Sequence, residues 1–329
     1  MGAVLFLLFP KTYSLKPIFS NLPLNYIAYN TIMYSAESLG SLRRSGARLL
    51  FLAALGAAVL LIWFEVAAHT PSGVLTFAVL NIGQGDALYI EGPTGVELLI
   101  DAGSGDGSML RELPKVMPLF KRSLDAVIAT HPDADHVGGF IDLLKRYRAS
   151  AFIESGINDA TLTYQTLERE VADEKIPRYI ARRGMTLDLG GGAELSVLYP
   201  DLDVSNYGKK TNEGSVVARL TYGATSVMLT ADAPTDVESH LIALDGAGLR
   251  SDILKVGHHG SRFSTGTAFA ATVHPSLAII SVGANNRYGH PSDEALAVLA
   301  TSHIPVLRTD EQGTLVFKSD GKKFWPVSP

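Results

Sequence analysis

The chain has 329 residues, no cysteine and a net charge of −5, with 47% hydrophobic and 19% charged residues. The missing cysteine excludes disulfides, thiolate metal sites and cysteine nucleophiles, and the length admits one large domain or two medium ones with a sizeable core. Residues 69–329 hold 23 Lys/Arg against 31 Asp/Glu, a balance of −8 that excludes a whole-surface grip on nucleic acid, because such binding rests on basic side chains releasing counterions from phosphates.

Residues 1–9, MGAVLFLLF, are apolar but too short to span a bilayer, and 11–42 show no clear periodicity. Residues 1–46 therefore stay unassigned. The stretch ARLLFLAALGAAVLLIWFEVAA (47–68) carries only Arg48 and Glu65, both near its ends. It predicts a transmembrane helix, the alternative being a buried core helix. A signal peptide would begin near residue 1 and end in a small-residue cleavage site, which this stretch does not. Lys11, Lys16, Arg43, Arg44 and Arg48 precede it, while Glu65 and His69 follow. The positive-inside rule then places the N-terminal side in the cytoplasm and residues 69–329 outside, as a single-pass protein of the cell membrane.

Residues 70–73, TPSG, read as a linker. Strands are expected at 74–82, 87–91 and 96–101, a Pro-interrupted helix at 108–120, and a buried strand at 124–130. HVGGFIDLLKRYR, from His136, shows a helical apolar face, followed by a helix at 161–173 and a strand at 194–199. Further on come strands at 215–222 and 225–231, a helix at 235–244 and a strand at 252–257. A helix at 266–273, a strand at 276–282, a helix at 292–301 and strands at 305–308 and 313–318 complete the chain. Two β-rich halves with interspersed helices predict an α/β fold in which two sheets pack face to face with helices outside, an αββα sandwich over 69–329.

Four of these strands deliver an ionisable residue where they stop. Asp101 closes VELLID, His131 follows AVIAT, Asp232 closes SVMLTAD, and His258 and His259 follow DILKVG. Strand ends are where loops carrying chemistry gather in layered α/β folds. Any one of these residues reads equally as a turn or cap; Asp135 alone could N-cap a helix starting near His136. The density of THPDADHVGG (130–139) shifts the balance. In extended backbone residues 131 and 133 project to one side and can chelate a cation, while Asp135 and His136 face a neighbouring position. Imidazole and carboxylate donors suit Zn²⁺, Mn²⁺ or Fe²⁺. Gly138 and Gly139 remove side chains where the helix must approach other backbone closely.

HPDADHVGG resembles the H-x-H-x-D-H signature of the metallo-β-lactamase fold. Together with FAVLNIGQGDALYIEGPTGVELLIDAG (77–103), NEGSVVARLTYGATSVMLTAD (212–232), DILKVGHHGSRFS (252–264), SVGANNRYGHP (281–291) and RTDEQGT (308–314), it resembles the C-terminal hydrolase domain of the ComEC competence family over about 74–320. The resemblance implies a dinuclear site. His131 and Asp133 would hold one divalent ion, Asp135 and His136 the other, with Asp232 bridging. His259 would complete the second ion, because adjacent residues of a regular strand point opposite ways; His258 would then contact phosphate or orient a ligand. Asp101 and Asp86 would orient ligands by hydrogen bonds.

Two departures stand out. Asp133 replaces a histidine of the wider fold, and Tyr199 stands in LSVLYP (195–200) where that fold has a further histidine. An oxygen-richer site shifts preference from Zn²⁺ toward Mn²⁺. The ComEC family also carries a long multi-span channel region, whereas one span is visible here. The implied activity is a metal-dependent phosphodiesterase or nuclease acting on DNA in connection with competence, with uptake-channel proteins as partners. Asp135 would double as proton acceptor. His290, in NRYGHP, would contact the scissile phosphate or protonate the leaving oxygen, unless it is a turn histidine before Pro291. Ser261, Asn286 and Arg287 are candidate phosphate contacts, Arg287 reading also as a surface charge. The alternatives are a hydrolase of small phosphoesters or wall-linked phosphate groups, and a non-catalytic remnant of a DNA-uptake channel.

Overall fold

The structure, a computed structural model, describes residues 46–63, 73–118 and 121–329. The unassigned segment before residue 46, the end of the expected span, most of the 70–73 linker and residues 119–120 lie outside the described residues. The chain divides into two compact units, Met1–Phe64 and Glu65–Pro329.

In the first unit, helix α1 (Gly46–Trp63) is long and apolar enough to cross a membrane by length and composition. Its large apolar side chains, Leu50, Phe51, Leu60 and Trp63 among them, are exposed.

The second unit is built on two mixed sheets. Its first half runs β1 (Leu75–Val79), β2 (Leu88–Glu91), β3 (Glu97–Ile100), α2 (Ser108–Glu112), β4 (Ser123–Leu124), β5 (Ala126–Ala129), α3 (Ala134–Leu144), β6 (Arg148–Ala149), β7 (Phe152–Glu154), α4 (Leu162–Asp173), β8 (Arg178–Ile180), β9 (Thr186–Gly190) and β10 (Ala193–Tyr199). The second half runs β11 (Val217–Tyr222), β12 (Thr225–Leu229), α5 (Thr235–Asp245), β13 (Ile253–Lys255), α6 (Thr267–Val273), β14 (Leu277–Ile280), α7 (Asp293–Thr301), β15 (Val306–Arg308), α8 (Thr309–Gln312), β16 (Leu315–Ser319) and β17 (Phe324–Val327). One sheet has the order β17-β16-β1-β2-β3-β5-β7-β8, the other β15-β14-β13-β12-β11-β10-β9, and β4 and β6 pair separately.

Alternation along the strands decides which side chains meet. Leu75, Phe77 and Val79, with Leu88, Ile90, Leu98 and Ile100, cluster against Leu195, Val197, Leu220, Val227, Leu229 and Ile253 of the other sheet. The intervening Ala78, Tyr89, Leu99 and Val127 meet Val137, Phe140 and Leu143 of α3 and Tyr164 and Leu167 of α4. On the other sheet Val217, Met228 and Leu254 meet Val237 and Leu241 of α5 and Phe269 and Val273 of α6. Strands buried on both faces read as continuous apolar runs, which made them visible in the sequence.

Some expectations shift. The strand expected at 124–130 is interrupted at Asp125, whose carboxylate accepts the Glu97 N–H at 2.8 Å. The helix expected to residue 120 ends at Glu112 and continues as a short 3₁₀ turn containing Pro114. Helix α3 ends at Leu144 rather than near residue 148. Strands β6, β7, β8, β9 and β17 were not expected. They are short, and Arg178, Tyr179 and Ile180 of the edge strand β8 are all exposed, so no buried apolar run announces that strand.

Candidate metal centre

Backbone turns at the strand ends aim the ionisable residues together. Asp101, just past β3, has φ 57°, and Ala231, just past β12, has φ 45°. His258 and His259, past β13, have φ 46° and 54°. Left-handed backbone is unfavourable for side-chain-bearing residues and concentrates at functional sites. Here it breaks strand geometry, so both adjacent histidines face the same carboxylate. His258 Nε2 lies 3.5 Å and His259 Nε2 3.7 Å from Asp232 Oδ2. The expectation that only one of them turns inward, drawn from regular strand geometry, is corrected on this point.

Helix α3 begins at Ala134, so Asp133 and not Asp135 occupies the N-cap position, and no side chain caps the helix there. Asp135 lies in the first turn. The helix sits almost on the backbone that carries Asp101. The Ala102 N–H donates to the His136 carbonyl at 2.7 Å and the Gly139 N–H to the Gly103 carbonyl at 2.9 Å. A Cβ on Gly139 would fall 2.0 Å from the Ala102 oxygen, and one on Gly138 would fall 2.7 Å from the Gly105 nitrogen. The close approach expected of this glycine pair is present.

The hydrogen bonds behind three histidines set their tautomers. His136 Nδ1 lies 2.8 Å from Asp101 Oδ2, an acceptor, so Nδ1 carries the proton. The Thr130 hydroxyl spends its hydrogen on Asp101 Oδ2 at 2.7 Å and accepts from His131 Nδ1 at 3.0 Å. His259 Nδ1 faces the Ser281 carbonyl at 3.0 Å. In its neutral form each ring therefore presents an Nε2 lone pair to the centre, and all three Nε2 atoms are buried without a hydrogen-bond partner, as is Asp232 Oδ1. Buried polar atoms are satisfied as a rule, so convergent orphans of this kind ask for a cation.

The remaining geometry agrees. His136 Nε2 is 3.3 Å from Asp232 Oδ1, and His131 Nε2 is 3.9 Å from Asp232 Oδ2 and 3.8 Å from Asp133 Oδ2. His259 Nε2 is 3.6 Å from Asp135 Oδ2. Ligand atoms of His131, His136 and Asp232 lie within 4.8 Å of one another, as do those of Asp135, His136 and His259. The donor set of imidazole and carboxylate fits Zn²⁺ or Mn²⁺.

Without a cation, imidazolium and carboxylate charges offset one another. Burial opposes charge on His136, but Asp232 and Asp101 outweigh it and hold this ring well above its usual value. His259, against the same burial, is raised to about 9 by Asp232 and Asp86. Burial and the neighbouring His136 lower His131. Asp232 is held well below the carboxylate range, the histidines overcoming its burial. Asp135 is held at about 2, where His259 and His136 outweigh burial.

The other predicted residues divide. His290 is half-buried, with its ring centroid 5.5 Å from that of His258 and 6.4 Å from that of His259. Burial and these two rings lower it to about 4, so it is neutral at pH 7. Asn286 is not available to phosphate. Its amide donates to the Gly283 and His290 carbonyls and its oxygen accepts the Tyr288 and His290 N–H groups, so it ties its own loop together. Arg287 is exposed and donates to the Tyr288 hydroxyl at 2.9 Å. Ser261 is buried below the histidine turn and accepts the Phe263 N–H. Tyr199 gives its hydroxyl hydrogen to the Glu213 carbonyl at 2.8 Å and packs in the α5 cluster, so it supplies no ligand. Asp86 lies at 3.4 Å from His259 Nδ1 through Oδ1. Sequence reasoning missed Thr130, Ser281, Asn212 and Lys255. The one local signal was Lys255 within the apolar run ILKV.

Comparison with known proteins shows the family. Residues 80–283 match the metallo-beta-lactamase superfamily. ComE operon protein 3 of Bacillus subtilis (strain 168) is 32% identical over 261 residues, 73% of this chain and 32% of that protein. Competence protein ComA of Neisseria gonorrhoeae is 27% identical over 249 residues, 75% of this chain and 33% of that protein. The chain thus spans about a third of the length of these curated relatives, and they bear out the resemblance to the ComEC competence family. Igni18, a metallo hydrolase from Ignicoccus hospitalis KIN4/I, is 16% identical with a TM-score of 0.49, covering 74% of this chain and 98% of that one. On the match over residues 80–283, the chain belongs to the metallo-beta-lactamase superfamily.

Proposed function

We propose that the Glu65–Pro329 unit is a four-layer αββα hydrolase domain that holds two divalent cations and hydrolyses phosphodiesters, DNA foremost, in connection with DNA uptake. Helix α1 tethers it as a single-pass protein of the cell membrane, with the hydrolase domain on the outer side. The observation that carries the reading is the convergence of three unpartnered imidazole Nε2 atoms on Asp232, from loops of both sheets.

His131 and Asp133 would hold one cation and Asp135, His136 and His259 the other, with Asp232 serving both. Bound there, such cations would supply Lewis acidity and a more acidic water. The chain's own residues do the rest. Asp101 orients His136 directly and His131 through Thr130, and Ser281 orients His259. Asn212 Nδ2 sits 3.4 Å from His258 Nδ1; with the amide donating, His258 keeps its proton on Nε2, facing the site. There it donates to a phosphate oxygen instead of ligating. Neutral His290 offers a second hydrogen bond to the substrate, and the exposed Arg287 is a further phosphate contact, whereas the buried Ser261 is left out of that role.

The test is cleavage of plasmid DNA and of bis(p-nitrophenyl) phosphate by the purified chain in Mn²⁺, Mg²⁺ and Zn²⁺. Mn²⁺-dependent cleavage of both is expected. Asp232→Asn should lose more than the about 10- to 100-fold typical of removing a partner behind a ligand. The net charge of −8 on residues 69–329 favours a second reading, a small-phosphoester hydrolase. Turnover of the small ester with intact DNA would decide for it.

A further inference from the structure

Lys255, on β13, is fully buried, the one such lysine among the described residues. Lysine is almost never buried unless paired. Its Nζ donates to Asp86 Oδ2 at 2.7 Å and to the Val256 carbonyl at 3.0 Å. Asp86 lies in the loop between β1 and β2, so the pair joins the two sheets at the end where the ligands gather.

The loop that carries Asp86 touches both halves of the centre. On one side, the Asp86 carbonyl accepts the Gly103 N–H at 2.9 Å, two residues past Asp101. Gly85, at φ +115°, lies so close to α3 that a Cβ there would fall 1.9 Å from the Asp135 carbonyl oxygen. On the other side, the Gly85 carbonyl accepts the Ser281 hydroxyl at 2.7 Å, and the Ser281 carbonyl faces His259 Nδ1. The second carboxylate oxygen of Asp86 is buried without a hydrogen-bond partner, 3.4 Å from the same Nδ1.

We infer that Lys255 and Asp86 form a positioning pair that sets the spacing between the two ligand groups, His131 to His136 from one sheet and Asp232 to His259 from the other. The inference rests on the metal-centre reading above. It also explains why a cation, rather than an apolar contact, sits behind Asp86. Asp86, Asp232 and His259 offer ligand atoms within 4.8 Å of one another, so an unneutralised Asp86 would compete for an incoming ion. Lys255 occupies one oxygen and leaves the other to His259. The pair acts through His259 and touches no substrate.

Lys255→Met alone leaves a buried carboxylate without its counter-ion and is expected to harm folding. The informative protein is the full chain with Asp86→Asn and Lys255→Met together, which removes both charges at nearly constant volume. Three quantities are compared with the parent: the metal-free melting temperature, Mn²⁺ stoichiometry and affinity by calorimetry, and the ¹⁵N shifts of the His259 ring. The expected result is a melting temperature close to the parent's, one Mn²⁺ bound about 10- to 100-fold more weakly, and His259 ring signals shifted from the parent's. Parental affinity for both ions with an unchanged His259 signal would overturn the inference while leaving the metal centre intact. Collapse of metal-free melting would assign the pair to fold support alone, which also overturns it. A parent chain that binds no Mn²⁺ would remove the metal-centre reading itself.

Discussion

The chemistry of the site turns on which ring nitrogen carries a proton. Asp101 decides this for two histidines at once, because its Oδ2 takes both the His136 Nδ1–H and the Thr130 hydroxyl hydrogen. Thr130 is then left only its lone pairs to offer His131. Partners behind metal-bound histidines tune affinity strongly. Thr130→Val keeps the shape but removes the relay, freeing His131 to protonate at Nε2. Mn²⁺ affinity measured by chelator competition is expected to fall about 10- to 100-fold with the circular dichroism spectrum unchanged; an unaltered affinity would show that His131 needs no such relay. At this scale the candidate ligands were legible, since HPDADH packs four of them into six positions. Thr130, Ser281 and Asn212 were not, because a hydroxyl, a carbonyl or an amide acquires such a role only from a partner the sequence does not place beside it. Asn286 shows the converse: a residue type suited to phosphate was consumed by its own loop.

Elements convert those residues into geometry. Helix α3 carries Asp135 and His136 to the centre only because its glycine pair lets it lie against residues 102–105. In Gly139→Ala the new methyl would overlap the Ala102 carbonyl, a backbone atom that cannot move without displacing Asp101. Overpacking of this kind costs about 1–3 kcal/mol or more. The prediction is a urea midpoint lowered accordingly, together with weakened Mn²⁺ binding; a variant as stable as the parent would mean that α3 can shift outward freely. The strand-end turns at Asp101, Ala231, His258 and His259 belong to the same scale. Their left-handed backbone was invisible in the sequence, since none is glycine, and it is what brings two neighbouring histidines onto one carboxylate.

For the whole molecule, the centre is a clamp between two sheets. One contributes Asp101, His131, Asp133, Asp135 and His136, the other Asp232, His258 and His259, and Lys255 with Asp86 spans them. Cations that bind only the folded chain should therefore stabilise it by mass action, about 2.7 kcal/mol for each ion at a hundredfold excess over Kd. That corresponds to roughly 5–10 °C in Tm for a domain of this size. Stripping with EDTA is expected to lower Tm by at least that amount, restored by Mn²⁺; a Tm indifferent to chelator would count against any resident ion.

Sequence alone determined the strands that are buried on both faces, the apolar helix α1, the glycine-backed ligand motif and the choice of imidazole and carboxylate donors. These are local properties: a run of apolar residues or a cluster of ligands keeps its meaning wherever it is placed. Tertiary structure decided how His258 and His259 share Asp232, that Asn286 is spent on its loop, that Asp133 rather than Asp135 heads α3, and that Lys255 is buried against Asp86. The histidine pair and Lys255 depend on partners far apart in the chain, Asp133 on a backbone angle and Asn286 on the path its own loop takes, and none of these is written in residue type or spacing.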